Sequence, residues 1–388
     1  MRIAYCTNVR LPNERAHGHQ VARVVNALSV LGHDVSVFAP FRINPVEASF
    51  HSYYGLPHAV GFHPLGSFDG IASKLTPGVI GLKVTTALFL GALKKKLLGS
   101  DHAFDLLYTR TPQLIGGLLK TGIPLVVELH TIPRWSLGLV RQLKHCTLIV
   151  ALTSPMRSAL IARGVPAEKI IVEGDAVDLV PFASVRSMAD VRAQWKLPLD
   201  RPLIGYAGQL TSMGLSKGIP ELVGALELLT RKRTPFHAVI AGGPDVSKRL
   251  FEENVSPTLA PHITFTGFMD HADIPSLLSA CDILVYPAPS TDHPFYRRDT
   301  SPLKVFEYMA AGKPIVSADL PPLRDILDET VATLVLAGDT RALADGIESV
   351  LLHPVAAGAI AAQAKTRVQE HTWIERMRRI LSAATLQG

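Results

Sequence analysis

The sequence predicts an α/β protein of two doubly wound parallel-sheet domains facing a cleft. Short apolar runs alternate with helical stretches along the chain, the pattern of strands joined by helical crossovers. At 388 residues the chain exceeds the size at which one core keeps growing, so two domains are expected. The alternation breaks over Leu179 to Arg201, a stretch rich in charge and turn residues. The division is therefore 1–178 for the first domain, 179–200 for a linker and 201–372 for the second domain. Residues 373–388 are left as a helix that packs back on the first domain.

In the first domain Ile3 to Thr7 is the first strand, and Gln20 to Leu31 a helix ending near Gly32. Val35 to Ala39, Leu106 to Thr109, Leu125 to Leu129 and Leu148 to Leu152 read as later strands. Leu203 to Ala207 opens the second series, followed by Ala238 to Gly242, Ile263 to Thr266, Ile283 to Pro287 and Ile315 to Ser317. Val79 to Leu98 reads as a helix with a wide apolar face, too short and interrupted to span a bilayer. It suits either the core or the plane of a membrane surface, with Lys94, Lys95 and Lys96 at its C-terminal end.

Composition narrows the function classes. The formal charge is +6, but the excess lies in the first half: 18 basic against 11 acidic residues up to Asp178, then 21 against 22. No recognition motif or basic–aromatic interleaving points to nucleic acid, so an anionic membrane or a phosphorylated acceptor fits the charge better. Cys6, Cys146 and Cys281 are far apart in or beside apolar runs, as reduced core residues of a cytoplasmic protein would be. The start, Met1-Arg-Ile-Ala-Tyr-Cys6, reads as a strand rather than a signal peptide. No glycine-rich Lys-Ser/Thr loop marks a nucleotide triphosphatase, and no nucleophile elbow suggests acyl chemistry. An Asp-x-Asp at a strand end is also lacking, so no metal or other cofactor is expected.

The most informative stretch is Asp299-Thr-Ser-Pro-Leu-Lys-Val-Phe-Glu307. It sets a loop carboxylate and a helix carboxylate eight positions apart. Ser301 is a good N-cap, Pro302 suits the first turn, and Gly312 and Pro314 close the helix. A ligand here would sit past a strand end, with helix amides toward an anion and carboxylates toward hydroxyl donors. A nucleotide sugar matches that layout.

This segment resembles the signature of family 4 glycosyltransferases, retaining enzymes of the GT-B fold. The resemblance covers nearly the whole chain and is weakest from Phe41 to Ser100. It implies that Glu307 holds the donor ribose and that Asp299, one methylene shorter than the family's glutamate, acts at the donor sugar. Ser301, Pro302, Leu303 and Lys304 fall at the diphosphate end of that helix. Tyr206-Ala-Gly-Gln-Leu210 and Ser216-Lys-Gly218 resemble the family's phosphate loop, which places Gly208, Gln209 and Lys217 at the donor. Lys217 matches the family's lysine, and Gln209 stands where the family has an arginine. Gly243, in Ala241-Gly-Gly-Pro-Asp245, and Phe268 with Met269 match the loops around the nucleotide, the latter two through main-chain groups.

In the first domain the resemblance implies that the glycine loop at Gly18 touches donor phosphate, with His17 and His19 near the acceptor. It places His130 beside the reacting sugar. Arg110, after the strand Leu106 to Thr109, is a candidate for an anionic acceptor. The expected activity is metal-independent transfer of a sugar from a nucleotide diphosphate to an acceptor hydroxyl, with Lys217, His130 and Asp299 nearest the chemistry. The acceptor would be a sugar or a lipid-linked group met at an anionic membrane surface. A nucleotide-sugar epimerase and a non-catalytic sugar-nucleotide binder are the competing readings.

Overall fold

The computed structural model describes residues 1–13, 16–56, 59–66, 69, 78–99, 103–132, 137–212 and 214–387. Glu14 and Arg15 of the segment before the first helix, and Pro133 after His130, lie outside them. The chain divides into two compact units: Met1–Gly174 with Trp373–Gly388, and Asp175–Thr372.

The first unit is built on seven parallel strands. They are β1 (Arg2–Cys6), β2 (Asp34–Pro40), β3 (Gly61–Leu65), β4 (Leu106–Thr109), β5 (Leu125–Leu129), β6 (Leu148–Ala151) and β7 (Ile170–Val172). Their order is β3-β2-β1-β4-β5-β6-β7. Ile3, Ala4, Tyr5 and Cys6 of β1 are all buried, as a central strand covered on both faces requires. The helix Ala16–Val30 buries Gln20, Val21, Val24, Val25 and Leu28 along one stripe. It begins four residues before the expected start, so His17, Gly18 and His19 lie in its first turn rather than in a loop. The C-terminal helix Trp373–Thr385 packs against this first helix.

The second unit has a six-stranded parallel sheet and a small hairpin. Its strands are β8 (Leu203–Ala207), the antiparallel pair β9 (Thr211–Ser212) and β10 (Leu215–Ser216), β11 (His237–Ala241), β12 (Ile263–Gly267), β13 (Ile283–Tyr286), β14 (Ile315–Asp319) and β15 (Thr333–Leu336). The sheet order is β12-β11-β8-β13-β14-β15. In both sheets the order reverses beside the first strand of the unit, at β1/β4 and at β8/β13, which opens a crevice at the carboxyl ends.

The segment 179–200 carries two short helices, Val180–Ala183 and Met188–Gln194, and belongs to the second unit. Arg192 anchors it. Its guanidinium is buried, donates to the Ala280 carbonyl and pairs with Asp282 at 2.7 Å. The charge that suggested a linker is thus partly structural.

Candidate active site

In the second unit three strand ends are tied main chain to main chain. Gly208 N donates to Ala241 O at 2.9 Å, and Gly242 N donates to Gly267 O at 2.8 Å. Gly242 has φ +136°, and a Cβ there would run into the Gly208 carbonyl. Gly218 has φ +85°, and a Cβ would meet the main chain of Pro287 and Ala288 at 2.6 Å. Only glycine allows these loops to close on one another. Gly243 joins the same knot through its carbonyl, which accepts the Leu210 N–H at 2.9 Å.

Two lysines reach the β8/β13 crevice from different elements. Lys217 precedes the helix Ile219–Arg231, with its Nζ 3.9 Å from the Phe295 ring centroid. Burial pushes its pKa down to about 8. Lys304 lies in the first turn of the helix Leu303–Ala311. Its Nζ donates to Tyr206 Oη at 2.7 Å and lies 4.1 Å from that ring's centroid. A Cβ built on Gly208 would sit 2.5 Å from this ammonium, so Lys304 covers the turn itself. Burial, then the charge of Lys217, push its pKa down to about 7 against the pull of Glu307. Neither ammonium makes an ion pair among the described residues.

Glu307 follows Lys304 by three positions, on the same side of the helix. Burial raises its pKa, opposed by His271 and Lys304. Beneath the lysines lie Tyr206, Tyr286, Tyr296 and Tyr308, all buried. Tyr296 Oη donates to Ser216 O at 2.6 Å, Tyr206 Oη to Gln209 O at 2.6 Å, and Ala207 N donates to Tyr308 Oη at 3.1 Å. Tyr296 ties down the loop that carries Lys217, and Tyr206 holds both the Gly208 turn and the Lys304 ammonium. The sequence reading passed over them, although four tyrosines at strand and helix ends of one half were visible.

The residues around Asp299 depart from expectation. Asp299 ends a π-helical turn, Phe295–Asp299, and is buried. Both its oxygens accept from Arg298, at 2.6 and 3.0 Å. Ser301 does not cap the helix; its hydroxyl accepts the Asp175 N–H at 2.8 Å instead. Pro302 takes the N-cap position, no side chain caps the helix, and the helix begins at Leu303. The Val305 amide donates to Pro302 O at 3.0 Å, and the amides of Leu303 and Lys304 are left for a ligand or solvent. Phe268 is 83% exposed, whereas Met269 is buried.

The first unit has its own cluster at the β1/β4 crevice. Glu128, the one acid in the apolar strand β5, is buried. It accepts from Gln20 Nε2 at 2.6 Å, from His130 Nε2 at 2.5 Å and from Tyr108 Oη, and it pairs with Arg376. Burial alone would raise its pKa, but Arg376 and the hydrogen-bonded His130 hold it well below the ordinary carboxylate range. Arg376 also donates to Gly174 O at 2.5 Å, and its pairing with Glu128 latches the C-terminal helix to β5, the strand that leads into His130.

His17 joins this cluster. Its Nε2 is buried without a hydrogen-bond partner among the described residues. Burial, then Arg110 and His130, push its pKa down to about 3. His19, two positions along the helix, turns elsewhere and packs edge-on against Tyr54 with centroids 5.3 Å apart. Gly18 was expected to admit a phosphate. The place of its Cβ is filled by the Tyr54 hydroxyl, which accepts from Asn13 N and donates to Asn13 O.

Among the described residues no group of three or more His, Cys, Asp or Glu is placed to hold a metal ion. No single described helix is long and apolar enough to cross a membrane.

Residues 187–367 match the family model for glycosyl transferases group 1, and residues 18–180 match that for glycosyltransferase family 4. An alpha-D-kanosaminyltransferase from Streptomyces kanamyceticus is 25% identical over 269 residues, 63% of this chain and 64% of that enzyme. The match thus spans just under two thirds of that relative's length. A GDP-mannose-dependent alpha-mannosyltransferase from Mycolicibacterium smegmatis is 25% identical over 365 residues, 87% of this chain and 85% of the relative. Among solved structures, Anabaena HepE in complex with UDP superposes with a TM-score of 0.72 at 18% identity over the whole of both chains. Sucrose-phosphate synthase from Thermosynechococcus elongatus does so with a TM-score of 0.74 at 20% identity, covering 99% of this chain and 98% of its own. At these identities the structural likeness establishes the GT-B fold.

Proposed function

The chain belongs to the glycosyltransferases, family 4 in its first half and group 1 in its second, and from that membership we propose that it transfers a hexosyl group from a nucleotide-diphosphate sugar to an acceptor hydroxyl. The observation that carries this reading is Lys304 lying over the Gly208 turn, with Lys217 near enough for its charge to act on it, at the N-terminus of the Leu303–Ala311 helix that no side chain caps. Two cations and a helix end facing one crevice call for a ligand with at least two negative charges. Glu307, one turn along, supplies an acceptor-only group for ribose hydroxyls. The HepE complex contains UDP, which makes a nucleoside diphosphate the first ligand to try.

The lysines hold the diphosphate and stabilise the charge that grows on it as the glycosidic bond breaks. They supply the positive charge that a divalent metal supplies in other transferases, so the reaction runs without one. His130, held by the carboxylate of Glu128, serves the sugar, while Arg110 and His17 serve the acceptor. Family membership implies retention of configuration, with the leaving phosphate assisting front-face attack. The product belongs to a glycan, glycolipid or polysaccharide, assembled in the cytoplasm or at its membrane face.

The test is a thermal-shift screen across UDP, GDP, ADP and their sugars, because a ligand bound only by the native state raises the melting temperature by mass action. One nucleotide series should stand out. Conversion of the nucleotide sugar without any acceptor would instead reveal an epimerase, and binding with no turnover on any acceptor a non-catalytic binder.

A further inference from the structure

Lys304, over the Gly208 turn, and Lys217, near enough for its charge to act on Lys304, are held in an unusual balance. Each is partly buried, each lies against aromatic rings, and neither pairs with a carboxylate among the described residues. Lys304 reaches the turn from the helix that follows β13, and Lys217 from the loop that follows the β9–β10 hairpin. Gln209, the residue immediately after the turn, is neutral and exposed. The second positive charge at this turn therefore comes from a different element, nearly a hundred positions along the chain.

We propose that Lys304 is a diphosphate-binding residue that completes a two-lysine clamp with Lys217, and that the clamp takes up a proton when a nucleoside diphosphate binds. The inference rests on the donor-site reading above and extends it to a ligand-linked protonation.

The groups facing Lys304 can be named. Lys217 opposes its charge, Glu307 on its own helix favours it, and Tyr206 and Tyr286 present a phenol and a ring face. His271 lies beyond, next to Glu307. Burial and like charge both disfavour the ammonium in the empty site, and Glu307 compensates only in part. With a pKa of about 7 for Lys304 and about 8 for Lys217, the empty clamp is short of its full charge at pH 8. A bound dianion reverses the balance, because an opposite charge at hydrogen-bonding distance favours the protonated amine. Protonation of one amine from bulk water then accompanies binding. The ligand is not the acceptor, since a terminal phosphate has its last pKa near ~6 and is ionised at this pH.

Calorimetric titration with UDP, and with GDP as a second probe, decides this when run in Tris and in MOPS at pH 8. The difference in observed enthalpy between buffers of different ionisation enthalpy gives the protons bound. The wild-type chain should take up on the order of one proton per nucleotide. Lys304→Met, a substitution of similar length in an aromatic nest, should weaken binding at least ~10-fold and lose most of the uptake. The double variant Gln209→Arg, Lys304→Met should recover affinity while the uptake stays reduced to the share of Lys217, because an arginine stays charged at any working pH. Melting curves check that each variant is folded, and the wild-type measurement stands independently of them. Tight binding with no uptake, or Lys304→Met binding as the wild type does, overturns the proposal while the donor site survives. Failure of both nucleotides to bind the wild type overturns the proposal together with the donor-site reading.

Discussion

Arg376 Nη2 lies 3.1 Å from Glu128 Oε1, and each side chain is 1% exposed. This pair joins the last helix of the chain to a strand some 248 positions earlier. Its surroundings leave little unsatisfied: Glu128 also accepts from Gln20, His130 and Tyr108, while Arg376 also donates to the Gly174 and Glu173 carbonyls. Removing the arginine leaves a buried carboxylate without its main counter-charge. Arg376→Met should therefore destabilise the first unit by ~3–5 kcal/mol, whereas replacing both partners with apolar residues should cost less. Denaturant melts of the single and double variants check this, and equal losses would contradict a coupled pair.

On the proposed donor-site reading, Glu307→Ala should weaken donor binding by ~2–3 kcal/mol without disturbing the fold, because it would remove charged hydrogen bonds to ribose hydroxyls. Its carboxylate lies on the flank of an uncapped helix, close enough to feel Lys304 and His271. Titration of the variant with the nucleotide selected by the thermal screen gives the answer. An unchanged dissociation constant would remove Glu307 from the site.

How much of this site was legible in the sequence depends on which force placed each residue. The helix of Glu307 and the strands that end near Gly208 and Gly243 follow from local pattern, since glycine and apolar periodicity announce themselves, whereas Lys217 is picked out only by the family resemblance. The cap at Ser301 did not follow, because the hydroxyl found the distant Asp175 amide. The missed strands β3, β7 and β15 all lie at sheet edges, where one side lacks a neighbour and the apolar run is short. Pro64 in β3 argued against a strand, yet an edge tolerates it. Arg376 and Glu128 were also missed. A lone glutamate inside Leu125-Val-Val-Glu-Leu129 was nevertheless a visible sign that a buried cation had to exist.

Lys217→Ala should lower kcat/KM more than Gln209→Ala. Of the two residues only the lysine can carry a positive charge toward a diphosphate that becomes more negative in the transition state. The exposed side chain of Gln209 adds at most a neutral contact, and its carbonyl is already engaged by Tyr206. Steady-state kinetics of the two variants separate them, and equal losses would place the diphosphate elsewhere.

The two lysines also predict how the empty protein responds to pH. Their folded pKa values, about 7 and about 8, lie below the ordinary lysine value of ~10.4. Between those limits the unfolded chain binds more protons than the native one, so stability rises with pH through this window. Below pH 7 the full penalty of two buried charges is present. Melting temperatures measured from about pH 7 to about pH 10 should therefore climb for the wild type and climb less steeply for Lys304→Met, which keeps only the burial shift of Lys217. Saturating nucleotide should flatten the wild-type curve, because the ligand restores both charges.

The last expectation concerns the helix Val79–Leu98. Its inner face, with Thr85, Phe89, Leu93 and Leu97, is buried in the first unit, which accounts for part of its apolar character. The outer face keeps Ile80, Leu82, Leu88 and Leu98 exposed, at 61, 42, 49 and 59%. Lys83, Lys95 and Lys96 are exposed on the same helix, while Lys94 is half-buried. Apolar side chains interleaved with lysines suit a helix lying in the plane of an anionic membrane surface, each basic group adding up to ~1 kcal/mol. The first half of the chain carries the whole positive excess, which strengthens that attraction. Sedimentation with phosphatidylserine vesicles should capture the protein at low salt and release it as salt rises, since screening shortens the reach of the charges. Lys83, Lys95 and Lys96 changed to Glu should abolish capture while leaving nucleotide binding in the second unit unaltered. Absence of capture at low salt would assign the outer face to a protein partner or a soluble acceptor instead.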